Sequence, residues 1–66
     1  MRATYDERAD TLTIGLKEGV EIVESDEDKA GFILDFDAHD DLVSLEVLDA
    51  SKRVSKPDRV ELEATR

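Results

Sequence analysis

From Gly31 to Ser51 the chain alternates between apolar and polar positions. Phe32, Leu34 and Phe36 fall on one side, with Ile33, Asp35 and Asp37 on the other. That period of two belongs to a strand with one apolar and one wetter face. The second run, Leu42 to Leu48, places Val43, Leu45 and Val47 together and sets Ser44, Glu46 and Leu48 opposite. Between them Ala38-His39-Asp40-Asp41 is polar and turn-tolerant, so the two runs predict an antiparallel hairpin. A slip of one residue would carry Phe36 and Leu45 into water, and the pattern therefore fixes the register.

A second hairpin precedes it. Arg2–Tyr5 alternates weakly, Thr11–Leu16 alternates clearly, and Asp6–Asp10 connects them. Asp6 is placed to close that turn through a backbone N–H two residues on, and Asp10 to do the same beside the next strand. Val20–Glu24 predicts a short edge strand, its charges guarding the edge, and Ser25–Ala30 predicts a polar loop. Asp49 or Ser51 is positioned to cap a helical turn through Lys52-Arg53-Val54. Pro57 breaks regular structure, and Asp58–Arg66 fits an edge strand, a short helix or a frayed end. The expected fold is thus mainly β. It is an antiparallel meander of about four strands built from two hairpins, with a short C-terminal helical turn or an extra edge strand. Residues 1–54 form one domain and 55–66 a basic tail. Leu12, Ile14 and Leu16 join Phe32, Leu34, Phe36, Val43, Leu45 and Val47 on one apolar face, with Tyr5 closing one end.

A lone small sheet leaves such a face uncovered. The chain has 66 residues and no Cys, so its core is small and no disulfide staples it. A second copy, making a homodimer, or the tail folded back is expected to cover the face. The net charge is −9, which argues against direct nucleic-acid binding. Charge is unevenly spread: residues 1–51 hold 15 acids and 4 bases, residues 52–66 hold 5 bases and 3 acids. The acidic body suits a basic protein partner, and equally suits plain solubility. With no long apolar run or secretory leader in the sequence, the expectation is a cytoplasmic protein off the membrane.

Candidate chemistry is sparse. There is one His, no Gly-rich phosphate loop, and no base to activate Ser51. No catalytic residue or cofactor is predicted. Asp35, Asp37, His39, Asp41 and Glu46 occupy positions 1, 3, 5, 7 and 12 of a calcium-loop template, but Asp40 stands where Gly is needed and strands replace the flanking helices. Asp35, Asp37 and Glu46 share the wetter face of the hairpin, within cross-strand reach. Clustered carboxylates of this kind hold a hard divalent cation or act as an acid–base pair. The plainer alternative has these three facing water and Asp6, Asp10 and Asp49 bonding turn backbone.

Tyr5-Asp6 with Ala9-Asp10, then Leu34-Asp35-Phe36-Asp37, then Leu45-Glu46-Val47-Leu48-Asp49-Ala50-Ser51 together resemble the bacterial and archaeal family known as domain of unknown function 2283. The likeness spans roughly residues 3–54, with Gly15 a departure. It implies a compact β-rich fold without an established activity. It also implies association with suspected toxin genes, which raises an antitoxin reading in which the acidic chain masks a small basic partner.

Overall fold

The computed structural model describes residues 1–65. Five strands, β1 (Arg2–Asp6), β2 (Thr11–Gly15), β3 (Glu24–Lys29), β4 (Phe32–Phe36) and β5 (Leu42–Val47), precede one helix, α1 (Ala50–Arg53). They form a single antiparallel sheet in the order β1-β2-β5-β4-β3. The two predicted hairpins are present, and the β2–β5 ladder joins them by pairing Leu12 with Val47 and Ile14 with Leu45. Opposed residues of an antiparallel pair share a face. Tyr5, Leu12, Ile14, Phe32, Leu34, Leu45 and Val47 therefore line one apolar face. Thr13, Ser25, Asp35, Ser44 and Glu46 line the other.

The third strand differs from expectation. Val20 to Val23 are exposed and outside any strand, whereas β3 runs through the polar stretch read as a loop. All six β3 residues are exposed, so side-chain burial does not hold this strand. Its backbone pairs with the open edge of β4, satisfying N–H and C=O groups that would otherwise need water. Gly31 makes the tight β3–β4 turn possible. Its φ is +86°, and a Cβ there would lie 2.5 Å from the Arg53 Nε. Its N–H donates to the Glu27 carboxylate at 2.8 Å.

Leu16 also departs from the predicted face. β2 ends at Gly15, and the N–H groups of Leu16 and Lys17 both converge on the Val43 carbonyl, at 2.7 and 3.2 Å. Leu16 is left exposed. Val43 is the extra residue where the β4–β5 register shifts, since Asp35 pairs with Ser44 but Phe36 with Leu42. Such a bulge bends the strand locally. Val43 is buried yet lies outside the central cluster of Leu12, Val47 and Ala50.

α1 and Val54 sit on the apolar face at that cluster. Arg53 spans the seam: its Nε donates to the Leu48 carbonyl at 2.8 Å, and its guanidinium lies 5.4 Å from the Phe32 ring centre, a cation–π distance. From Val54 to Thr65 there is neither helix nor strand. This segment returns past β1 and β2, bordering an open groove of about 400 Å³ beside Leu12 and another of about 440 Å³ beside Ala3 and Ile14. Among the described residues no helix is long and apolar enough to cross a membrane.

Candidate functional site

Two carboxylate centres organise the molecule, one on each face. The first is Asp35, in the middle of β4 and only 2% exposed. Ser25 on β3 and Ser44 on β5 stand directly opposite it. The Ser25 hydroxyl donates to its Oδ1 and the Ser44 hydroxyl to its Oδ2, both at 2.6 Å. Glu46, two residues beyond Ser44 on the same face, hydrogen-bonds the Asp35 carboxyl. Burial opposes charge on Asp35, but the two hydroxyls and Glu46 outweigh it and hold its carboxyl below the ordinary range. The bond to Asp35, burial and the Asp35 charge push the Glu46 carboxyl up. Of the two carboxyls, Glu46 is the one that holds its proton more tightly, as expected of a neighbour to a charged carboxylate.

Asp37 does not belong to this pair. It is 6% exposed and organises the β4–β5 turn. Its Oδ1 accepts the N–H groups of His39 at 2.9 Å and Asp41 at 3.0 Å. Asp40 takes the left-handed conformation, φ 63°, in the turn's tip beside the exposed His39. The Lys17 ammonium lies 3.3 Å from Asp37 and 2.9 Å from Asp41. The N–H of Asp41 offsets the cost of burial and, with His39 and Lys17, lowers the Asp37 carboxyl. Lysine thus supplies the positive charge at the acidic turn that resembled a calcium loop. Asp35 and Asp37 do not face water, which corrects the plainer expectation for them. Among the described residues, no three His, Cys, Asp or Glu side chains are grouped to hold a metal.

The second centre is Asp10, at the end of the β1–β2 turn, with φ 52°. Its Oδ1 accepts the Tyr5 hydroxyl at 2.6 Å and the Ser51 N–H at 3.0 Å, and its Oδ2 accepts the Ser51 hydroxyl at 2.6 Å. Its carbonyl accepts the Ala50 N–H at 2.9 Å. Two of the free N–H groups at the start of α1 are thereby satisfied from 40 residues upstream; such groups always need a partner. The predicted local caps are replaced. Asp49 adopts φ 53° and makes no side-chain cap, and Ser51 lies inside the helix. Asp6 does close its turn, accepting the N–H groups of Arg8 and Ala9. The Ser51 and Tyr5 donors lower the Asp10 carboxyl, while the bond to Asp10 pushes the Tyr5 phenol up to about 12. Tyr5 remains a proton donor in structure rather than an acid in chemistry.

The segments carrying these two centres are the ones that define the family resemblance. The family model described as "Protein of unknown function (DUF2283)" matches residues 2–51. The chain belongs to this family. No curated protein and no solved structure matches it. The DUF2283 match ends inside α1, so it contains all of Asp10, Tyr5, Ser51, Asp35 and Glu46 and stops before the basic tail. The geometry gives those motif residues work in folding. Tyr5, Asp10 and Ser51 lock α1 to the first hairpin. Asp35 ties three strands together, and Asp37 shapes the central turn.

Proposed function

We propose that this DUF2283 chain is a non-enzymatic interaction module that acts as a homodimer, with the apolar sheet face of one copy covered by the other. One observation carries the reading. Five strands make a single layer, and among the described residues only Leu12, Val43, Val47 and Ala50 are buried apolar side chains. Ile14, Phe32, Leu34, Phe36 and Leu45 remain partly open. Sheets of this size gain stability by burying one face against a second layer. The carboxylates favour a non-catalytic role, because Asp10, Asp35 and Asp37 are each engaged by donors within the chain. Light scattering after size exclusion tests the proposal. A mass twice the 7.4 kDa of the chain at low and high salt supports it, and a single-chain mass at every concentration overturns it.

A second reading, docking of a basic protein partner, draws on β3. Its sequence ESDEDK is wholly exposed on an open edge, a strip to which a basic extended segment can add. Such a complex weakens steeply as salt rises; salt-insensitive binding, or none, counts against it.

A further inference from the structure

The sheet ends in two open edges, β1 and β3, and the two accept different partners. An edge strand presents unpaired backbone N–H and C=O groups along one side. The tail runs beside β1 from Asp58 to Leu62, yet among the described residues no backbone hydrogen bond joins the two. Two copies of one edge can join antiparallel about a two-fold axis normal to the sheet. The axis then passes beside one residue, which faces its own copy, and the residues flanking it face one another. On β3 this opposes like charges, which is destabilising. An axis at Asp26 sets Asp26 against itself and Glu24 against Asp28, and an axis at Glu27 sets Glu27 against itself and Asp26 against Asp28. The register shift between Glu27 and Lys29 blunts that edge further.

β1 lacks this protection. Its central residue is Thr4, and an axis there pairs all five residues of the strand: Thr4 with Thr4, Ala3 with Tyr5, and Arg2 with Asp6 at both ends. An axis at Ala3 or Tyr5 shortens the pairing and separates Arg2 from Asp6. The fullest register is thus the one that opposes unlike charges, a stabilising cross-strand pair. Among the described residues, Arg2 and Asp6 form no ion pair within the chain. Glu61 lies near Arg2, and Glu7, Arg8 and Asp58 lie near Asp6, so the attraction belongs to the directly opposed pair and not to the patches around it. We propose that β1 pairs with β1 of a second copy, centred on Thr4, to make one continuous sheet across both chains. Backbone hydrogen bonds supply the affinity, and Arg2 with Asp6 selects the register. The contact is independent of the face-to-face dimer above, because an axis normal to the sheet leaves both apolar faces open on the same side. The two contacts together close at four chains.

Disulfide trapping in the full-length chain tests it. The chain has no Cys, and Thr4 is exposed, so Thr4→Cys reports the register alone. Facing Cα atoms of an antiparallel pair stand about 4.5–5.5 Å apart, within the span a disulfide bridges. Under mild oxidation Thr4→Cys should form covalent dimers about tenfold faster than Asp28→Cys on the other edge, because pairing raises the effective thiol concentration. Adding Arg2→Glu sets Glu against Asp6 at both ends and should remove most of that advantage. Thr4 lies on the polar face, paired with Thr13, so contact between apolar faces does not bring two copies of it together. Equal rates for Thr4→Cys and Asp28→Cys overturn the edge pairing and leave the dimer reading standing. An advantage that survives Arg2→Glu overturns the register. The disulfide-locked dimer still presents both apolar faces, so a locked dimer that never reaches four chains counts against the face contact alone.

Discussion

The two faces of the sheet reach the same degree of burial by opposite means. Val47 on the apolar face is 3% exposed and Asp35 on the polar face 2%. Val47 is buried by area, through contact with Leu12, Ala50 and their apolar neighbours. Asp35 is buried by direction, its two oxygens each taking a serine hydroxyl from a flanking strand. Among the described residues no buried side-chain polar atom lacks a partner, which is the condition for placing a carboxylate there at tolerable cost. The difference teaches that the polar face completes itself within one chain. The apolar face leaves Leu34, Phe36 and Leu45 partly open, and it is the face that the proposed dimer would cover.

Substitutions on each face sharpen the contrast. The largest effect falls on the apolar side, where Leu12→Ala should cost about 2–5 kcal/mol, enough to unfold so small a domain. Urea denaturation measures it, and an unchanged midpoint would mean the central cluster is misplaced. Asp35→Ala should cost about 1–3 kcal/mol, because it strands the hydroxyl of the buried Ser44, while the exposed Ser25 turns to water. Losing the charge without stranding that hydroxyl, as in Asp35→Ala with Ser44→Ala, should recover part of that loss.

A smaller loss follows at the junction of the two ends. Asp10→Ala frees α1 from the first hairpin and lowers the melting temperature, and Asp10→Asn, which tolerates the same backbone, lowers it less. The same change returns the Tyr5 phenol from about 12 toward its ordinary 10.0, which ultraviolet absorbance against pH reads directly. A tyrosine titration unmoved by Asp10→Ala would break the clamp.

The smallest effect has the opposite sign. Glu46 has its folded-state carboxyl raised above 4.5, so folding binds a proton as pH falls. Stability from this group is present below the unfolded value and is lost as pH rises through the folded one. Above that window Glu46 is charged beside Asp35. Glu46→Gln should therefore stabilise the fold at neutral pH by roughly 1 kcal/mol, the net worth of one hydrogen bond. The advantage should vanish as pH drops through the ordinary glutamate range. Equal stability of the two proteins at every pH would show that Glu46 holds its proton no more tightly than an ordinary glutamate.

Alternation made both hairpins and the apolar face legible in the sequence, because Leu12–Ile14, Phe32–Phe36 and Leu45–Val47 bury side chains in the period they advertise. β3 was not legible, because its side chains bury nothing and its order comes from backbone pairing. The available signal was the Ala30-Gly31 pair, a turn placed where a hairpin from β3 into β4 needs one. The α1 cap was hidden for a different reason: its donor groups find Asp10, 41 residues before Ser51, and cap rules look only to near neighbours. The burial of Asp35 had a sequence trace in Ser44, the one hydroxyl between Val43 and Leu45 in an otherwise apolar run. Lys17, which neutralises Asp37 and Asp41, left a trace only as a lone base close to acidic turns.

The claim that the apolar face is completed by a second copy is tested most directly by melting the wild-type chain over about a hundredfold range of protein concentration. Coupled dissociation and unfolding makes the melting temperature climb steadily with concentration, and that is the predicted result. A melting temperature that stays constant across the range would contradict it, and would mean that the tail and α1 alone suffice to stabilise the sheet.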